Sequence, residues 1–216
     1  MDVAFTDSTV DLQGRSPGFA TSLPAVEEAC GVRFARLDQH HGAQVLDVVE
    51  PAAAPPADVP EGDALVTSTR GLGLMVRVAD CVPVVLADPA SGLVGAVHAG
   101  RAGVEHDIVT ATVERMRARG AGRLVAWIGP HVCGGCYEVP EELRALVASA
   151  VPATYATTTW GTPSLDLGAG VRAQLEAAGD VEVVAVDACT REDPRLHSHR
   201  RDGARAGRLA GLVWAS

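Results

Sequence analysis

Residues 76–89 read VRVADCVPVVLADP, the most sheet-prone stretch of the chain, yet Asp80, Cys81 and Pro83 sit in its middle. β-Branched residues on both sides favour extended backbone. Pro83 has no N–H to give to a ladder, which predicts an edge, a bulge or a stop in pairing beside the thiol. Working outward, runs of the same character at 3–6, 32–36, 44–49, 64–67, 72–78, 82–87 and 93–98 predict further short strands.

Helical patterns begin only after these strands. One is expected over 104–119, with Val104, Ile108, Thr112 and Met116 on one stripe, acids near its start and arginines near its end. A strand over 124–128 follows, then a helix opening at Pro140, a helix over 167–178 and a strand over 181–186. The Pro- and Ala-rich insert 51–62 reads as a mobile surface loop. Strands early and helices late, with no internal repeat and no G-x-G-x-x-G opening a helix, predict one mixed α/β domain over 1–216, its sheets covered by helices.

The composition bounds the chemistry. With 216 residues, 47% of them hydrophobic, the chain can bury a sizeable core. A net charge of −9 argues against nucleic acid as a partner. No apolar run reaches the ~18 residues a membrane helix needs, and the first residues carry no leader pattern, so a cytoplasmic protein is expected. All 18 basic residues are arginine, which excludes Schiff-base lysines and a phosphate-loop lysine. Asparagine is absent, so a Cys-His-Asn triad is excluded too. The five cysteines are odd in number and widely spaced, which predicts reduced thiols.

Three groups stand out by context. His41 lies in QHHGAQV before a strand, Cys81 in ADCVP, and His98 at the end of an apolar strand in VGAVHAG. Strand ends are where a rigid sheet can hold a reactive side chain in an open loop. Two imidazoles and a thiolate suit zinc, or copper, with a fourth position left for water or substrate. The same residues could instead make a metal-free hydrolase, with Cys81 as nucleophile and a histidine as base. Cys133-Gly-Gly-Cys136 reads first as a structural turn, with a redox pair or half a zinc site as alternatives. His197-Ser-His199 could chelate if extended, but Arg200 and Arg201 beside it would repel a cation.

The blocks QHHGAQV, GDALVT, ADCVPVVLADP, VGAVHAGRAG, IGPHVCGGCYEVP and HSHRRDGARAGR together resemble the polyphenol oxidase or laccase-domain family. Its members are described as purine nucleoside phosphorylases and adenosine deaminases, also as multicopper oxidases and as peptidoglycan editing factors. The resemblance implies a single-domain mixed α/β sandwich with central sheets flanked by helices. It also makes His41, Cys81 and His98 the metal ligands, for zinc or alternatively copper. Two departures are visible: Arg101-Ala102 stands where the family usually has Trp-Arg, and His197 and His199 stand where it has aromatics.

The expectation is therefore a zinc-dependent enzyme acting on a purine nucleoside and phosphate, by phosphorolysis of adenosine, inosine or methylthioadenosine, by deamination of adenosine, or by both. The alternatives are a Cys-His hydrolase acting on peptidoglycan precursors and a copper-dependent phenol oxidase. Asp80, Asp63 and Glu138 are the acids available in these blocks for proton transfer, for hydrogen bonds that orient a ligand histidine, or for ordinary loop hydrogen bonds. Arg101, Arg200 and Arg201 are candidates for phosphate, and Tyr137 for stacking on a base.

Overall fold

The computed structural model describes residues 1–14, 16, 18–53 and 59–216. In chain order its strands are β1 (Asp2–Phe5), β2 (Arg33–Ala35), β3 (Val45–Asp47), β4 (Ala64–Thr67), β5 (Leu72–Val78), β6 (Val82–Ala87), β7 (Val94–Ala99), β8 (Leu124–Ile128), β9 (Tyr155–Thr157), β10 (Pro163–Leu165), β11 (Val181–Ala185) and β12 (Leu209–Trp214). Its helices are α1 (Phe19–Cys30), α2 (Arg101–Glu105), α3 (Ile108–Ala118), α4 (Glu141–Ala150), α5 (Leu167–Ala178) and α6 (His199–Asp202).

Two mixed sheets stack face to face. The larger runs β11-β8-β6-β7-β4-β3 and the smaller β1-β12-β5-β2, with β9 and β10 forming a separate ribbon. The alternation of side chains along β6 shows how the layers form. Val84 and Leu86 face the helices, packing with Val109, Val113 and Leu175, whereas Val85 and Ala87 face the other sheet, packing with Leu74, Val76 and Val213. Each such valine, wholly buried, contributes about 1.5–3 kcal/mol. Helix α1 closes the outer face of the smaller sheet through Phe19, Leu23 and Val26. The expected mixed α/β sandwich with helix-covered sheets is thus the fold found.

Pro83 meets one of the three expectations, a stop in pairing, and only on the β8 side. It lies within β6, an interior strand, paired with His98 of β7. Its carbonyl accepts from the Gly129 N–H at 2.9 Å, just past the end of β8. In an antiparallel ladder N–H and C=O of one residue face the same neighbour, so the missing N–H falls where β8 has already stopped. The proline is tolerated without a bulge, and its ring rests near Gly211 of β12.

The helix expected over 104–119 is two helices, α2 and α3, because Asp107 adopts a left-handed conformation at φ 58° and turns the chain between them. Helix α1 was not foreseen: Pro24 obscures a Phe19, Leu23, Val26 stripe ended by Gly31 at φ 69°. Strands β9, β10 and β12 were missed as well. Of the insert 51–62, residues 54–58 lie outside the described residues.

Candidate metal centre

Sheet register brings the three expected ligands together. Val82 pairs with Ala99 and Pro83 with His98, so Cys81 at the head of β6 lies beside the tail of β7. His41 comes from the loop before β3. The ligand atoms of His41, Cys81 and His98 all lie within 4.8 Å of one another, and the two imidazole rings meet edge to face at 4.7 Å. His41 and Asp80 both hold positive φ, 65° and 85°, turning the backbone sharply at the two loops that meet here.

Asp63 organises the cluster. Fully buried, it accepts from His98 Nδ1 at 2.7 Å, from the His41 N–H at 3.0 Å and from the Gly42 N–H at 2.6 Å. The His98 bond fixes which nitrogen is occupied and leaves Nε2 for a metal or for Cys81. Burial pushes Asp63 up, but the His98 hydrogen bond and charge and the two N–H groups hold it below the usual carboxylate range. Burial likewise pushes the Cys81 thiol up, and the His98 and His41 imidazoles more than offset it, to about 6. His98 is lowered by burial and raised further by Cys81 and Asp63, to about 9. Thiolate, imidazoles and orienting carboxylate form a donor set that fits zinc.

Asp80 ties three segments together. Its side chain accepts from Thr190 Oγ1 and from the Arg200 N–H, both at 2.6 Å, and its carbonyl accepts from the Val132 N–H. Glu138 accepts from Trp160 Nε1 at 2.9 Å and does not line the cavity described below. Arg101 pairs with Glu105 on α2, and all five N–H donors of Arg201 go to Asp202 and to the carbonyls of a neighbouring loop. Arg200 is placed differently. It stacks on Tyr137 at 4.4 Å, and both face the same cavity as the cluster.

That cavity has a volume of about 910 Å³ and brings in residues not singled out from sequence. Arg36 and Arg77 lie over the Phe19 ring, 5.2 and 5.4 Å from its centroid, with Arg208 nearby on the same wall. The Nε atoms of Arg36 and Arg77 are buried and have no hydrogen-bond partner among the described residues. Burial, then the neighbouring Arg36 cation, brings Arg77 down to about 10. One signal was present: Arg77 is a charged residue in an otherwise apolar strand, four positions before Cys81. His199 also lines the cavity, while His197 turns away to the Val10 carbonyl, so His197-Ser-His199 does not chelate as a pair.

The small residues after His98 have a steric reason. A Cβ on Gly100 would stand 2.5 Å from His41 Cδ2 and 3.4 Å from Cys81 Sγ. Gly100→Ala is therefore expected to displace the His41 ring and weaken metal binding by about 10–100-fold, read by chelator competition. Unchanged affinity would remove His41 from the ligand set.

Known proteins resemble the chain over most of its length. The family model described as multi-copper polyphenol oxidoreductase laccase matches residues 20–216. A purine nucleoside phosphorylase of Streptomyces coelicolor is 50% identical over 207 residues, covering 93% of this chain and 84% of that protein. Another, of Streptomyces griseus, is 52% identical over 82% of this chain and 72% of its own length. The crystal structure of YlmD from Geobacillus stearothermophilus superposes with a TM-score of 0.87 at 24% identity, covering 99% of this chain and 91% of that one, a likeness of fold.

Proposed function

The chain belongs to the multi-copper polyphenol oxidoreductase laccase family, and on that footing we propose that it is a zinc-dependent purine nucleoside phosphorylase. The observation that carries this is a three-donor centre, His41, Cys81 and His98, set in a cavity with arginine walls. Relatives named purine nucleoside phosphorylase support the substrate class.

Two imidazoles and a thiolate also suit electron-transfer copper, which normally adds an axial methionine in a closed site. No methionine lines this cavity among the described residues, and its volume leaves room for a substrate, which favours zinc with an open position. Zinc, when bound, supplies a Lewis acid at the reacting centre. His41, Cys81 and His98 would hold it, with His98 kept in register by Asp63. The purine would stack on Tyr137 beside the Arg200 guanidinium. Phosphate would be balanced by Arg200 on one side or by Arg36, Arg77 and Arg208 on the other, since paired guanidiniums recognise phosphate oxygens well. In phosphorolysis a phosphate oxygen bonds to the anomeric carbon as the glycosidic bond breaks, and the base leaves with the electron pair and needs a proton. His199 is the imidazole lining the cavity that stands outside the His41, Cys81, His98 cluster, and we assign it that proton.

The test is product formation from adenosine and inosine with and without phosphate. Free base and ribose 1-phosphate formed only with phosphate is the expected result; inosine and ammonia from adenosine would replace phosphorolysis by deamination. Arg200→Ala is expected to raise the phosphate KM about tenfold or more, the scale of one charged hydrogen bond. An unchanged KM would move the phosphate to the Arg36–Arg77 wall.

One observation favours a second reading. The Cys81 thiol lies within 4.8 Å of a ring nitrogen of His98, whose Nδ1 is held by Asp63, which is also the pairing of a thiol hydrolase. That reading, including action on peptidoglycan precursors, predicts turnover that survives chelators.

A further inference from the structure

The turn Cys133-Gly134-Gly135-Cys136 has a counterpart far along the chain. In the first, the N–H groups of Cys136 and Tyr137 both donate to the Cys133 carbonyl, at 2.9 and 3.0 Å. In Cys189-Thr190-Arg191-Glu192, the N–H groups of Glu192 and Asp193 donate to the Cys189 carbonyl in the same way, at 3.2 and 2.9 Å. Each turn therefore presents its first and fourth side chains to one side, and the two turns face each other. The ligand atoms of Cys133, Cys136, Cys189 and Glu192 lie within 4.8 Å of one another.

We propose that these four side chains form a second zinc site, structural and separate from the His41, Cys81, His98 centre. Three thiolates and a carboxylate supply four donors, the number that closes a tetrahedral site. Thiolate softness disfavours magnesium and calcium, and a four-iron cluster would call for a fourth thiolate. Contacts between the turns suit such a site: the Cys133 N–H points at Cys189 Sγ at 3.4 Å, as donors orient metal-bound thiolates, and Cys136 Sγ lies 3.4 Å from Glu192 Oε1. Three thiolates this close would repel, so a dication is the group that lets them ionise together, and its binding releases protons.

The backbone at the site is built for close approach. A Cβ on Gly134 would stand 2.8 Å from Asp166 Oδ2. The second turn is anchored to the catalytic side of the molecule, since Thr190 donates to Asp80, the residue before Cys81. The first leads directly into Tyr137. Zinc here would clamp the two segments that carry one wall of the cavity.

The proposal is tested on the full-length protein, reduced, loaded with zinc and freed of excess. Elemental analysis is expected to find about two zinc ions per wild-type chain, one in Cys81→Ala, one in Cys189→Ser and none in the double variant. Cobalt(II)-loaded Cys81→Ala is expected to show a thiolate-to-cobalt charge-transfer band that Cys189→Ser removes. Because loss of a half-buried thiol can impair folding, exposed Glu192→Gln serves as a second variant, expected to keep the fold and release one zinc to a chelator about tenfold more readily. The proposal is overturned if reduced Cys81→Ala holds no zinc, if Cys189→Ser and Glu192→Gln both leave its zinc untouched, or if the native protein carries a disulfide among these thiols in place of a metal. Failure of the His41, Cys81, His98 centre alone would look different: the only zinc would then follow Cys189 and not Cys81.

Discussion

Cys81→Ala is expected to keep the fold and lose on the order of 10³-fold or more in kcat/KM for nucleoside phosphorolysis, about 4 kcal/mol of transition-state stabilisation. The thiol lies at the head of β6, outside the packed alternation of that strand, so its removal leaves a small defect at a cavity wall rather than a hole in the core. Two imidazoles alone form an incomplete donor set. Zinc at this centre should fall accordingly, while the Cys133–Glu192 cluster is unaffected by the substitution. Circular dichroism, zinc per chain and turnover, measured with and without a chelator, separate the possibilities. Undiminished turnover with both zinc equivalents retained would end the ligand assignment. Loss of turnover in Cys81→Ala, with full activity of chelated wild type, would make Cys81 a nucleophile.

Asp63→Ala carries the second large effect, on stability and on the metal together. The carboxylate is fully buried and satisfies His98 Nδ1, the His41 N–H and the Gly42 N–H. Its removal leaves two backbone donors unpaired and an imidazole without its orienting partner. Losing one member of a buried ionic network typically destabilises by about 3–5 kcal/mol. Metal affinity should fall by about 10–100-fold, because the ring that presents Nε2 is no longer held. Urea denaturation reads the first and chelator competition the second. Asp63→Asn, which keeps the shape and one accepting oxygen, is expected to recover part of both. A wild-type metal affinity in Asp63→Ala would reduce Asp63 to a loop support.

Much of the fold was legible because it is written in local patterns. The strands at 64–67, 72–78, 82–87 and 124–128 and the helix at 167–178 were placed to the residue, since β-branched runs and apolar stripes fix extended or helical backbone without reference to distant partners. Errors fell where tertiary context overrides pattern. Asp107 breaks one apolar stripe into two helices, and Pro24 sits inside α1, whose stability comes from docking Phe19 and Leu23 on the smaller sheet. The apolar run of β12, with Gly211 in its middle, was missed because its sheet partners are residues 2–5 and 73–78, at the opposite end of the chain and in its middle.

By itself the sequence determined the chemistry available: arginine as the basic side chain, no lysine or asparagine, and histidines and a thiol placed beside expected strands. It also determined the class of fold. Only the tertiary structure decided which acids serve which groups, placing Asp63 on His98 and Asp80 on Thr190 and Arg200, and turning Glu138 to Trp160. It alone faced Arg36 and Arg77 into the cavity and found the other half of the Cys133-Gly-Gly-Cys136 turn at Cys189 and Glu192. The reason is physical. Propensity and periodicity act over a few residues, whereas a site is made by strand register and loop contacts that bring together groups separated by tens of residues, and spacing along the chain carries no trace of that distance.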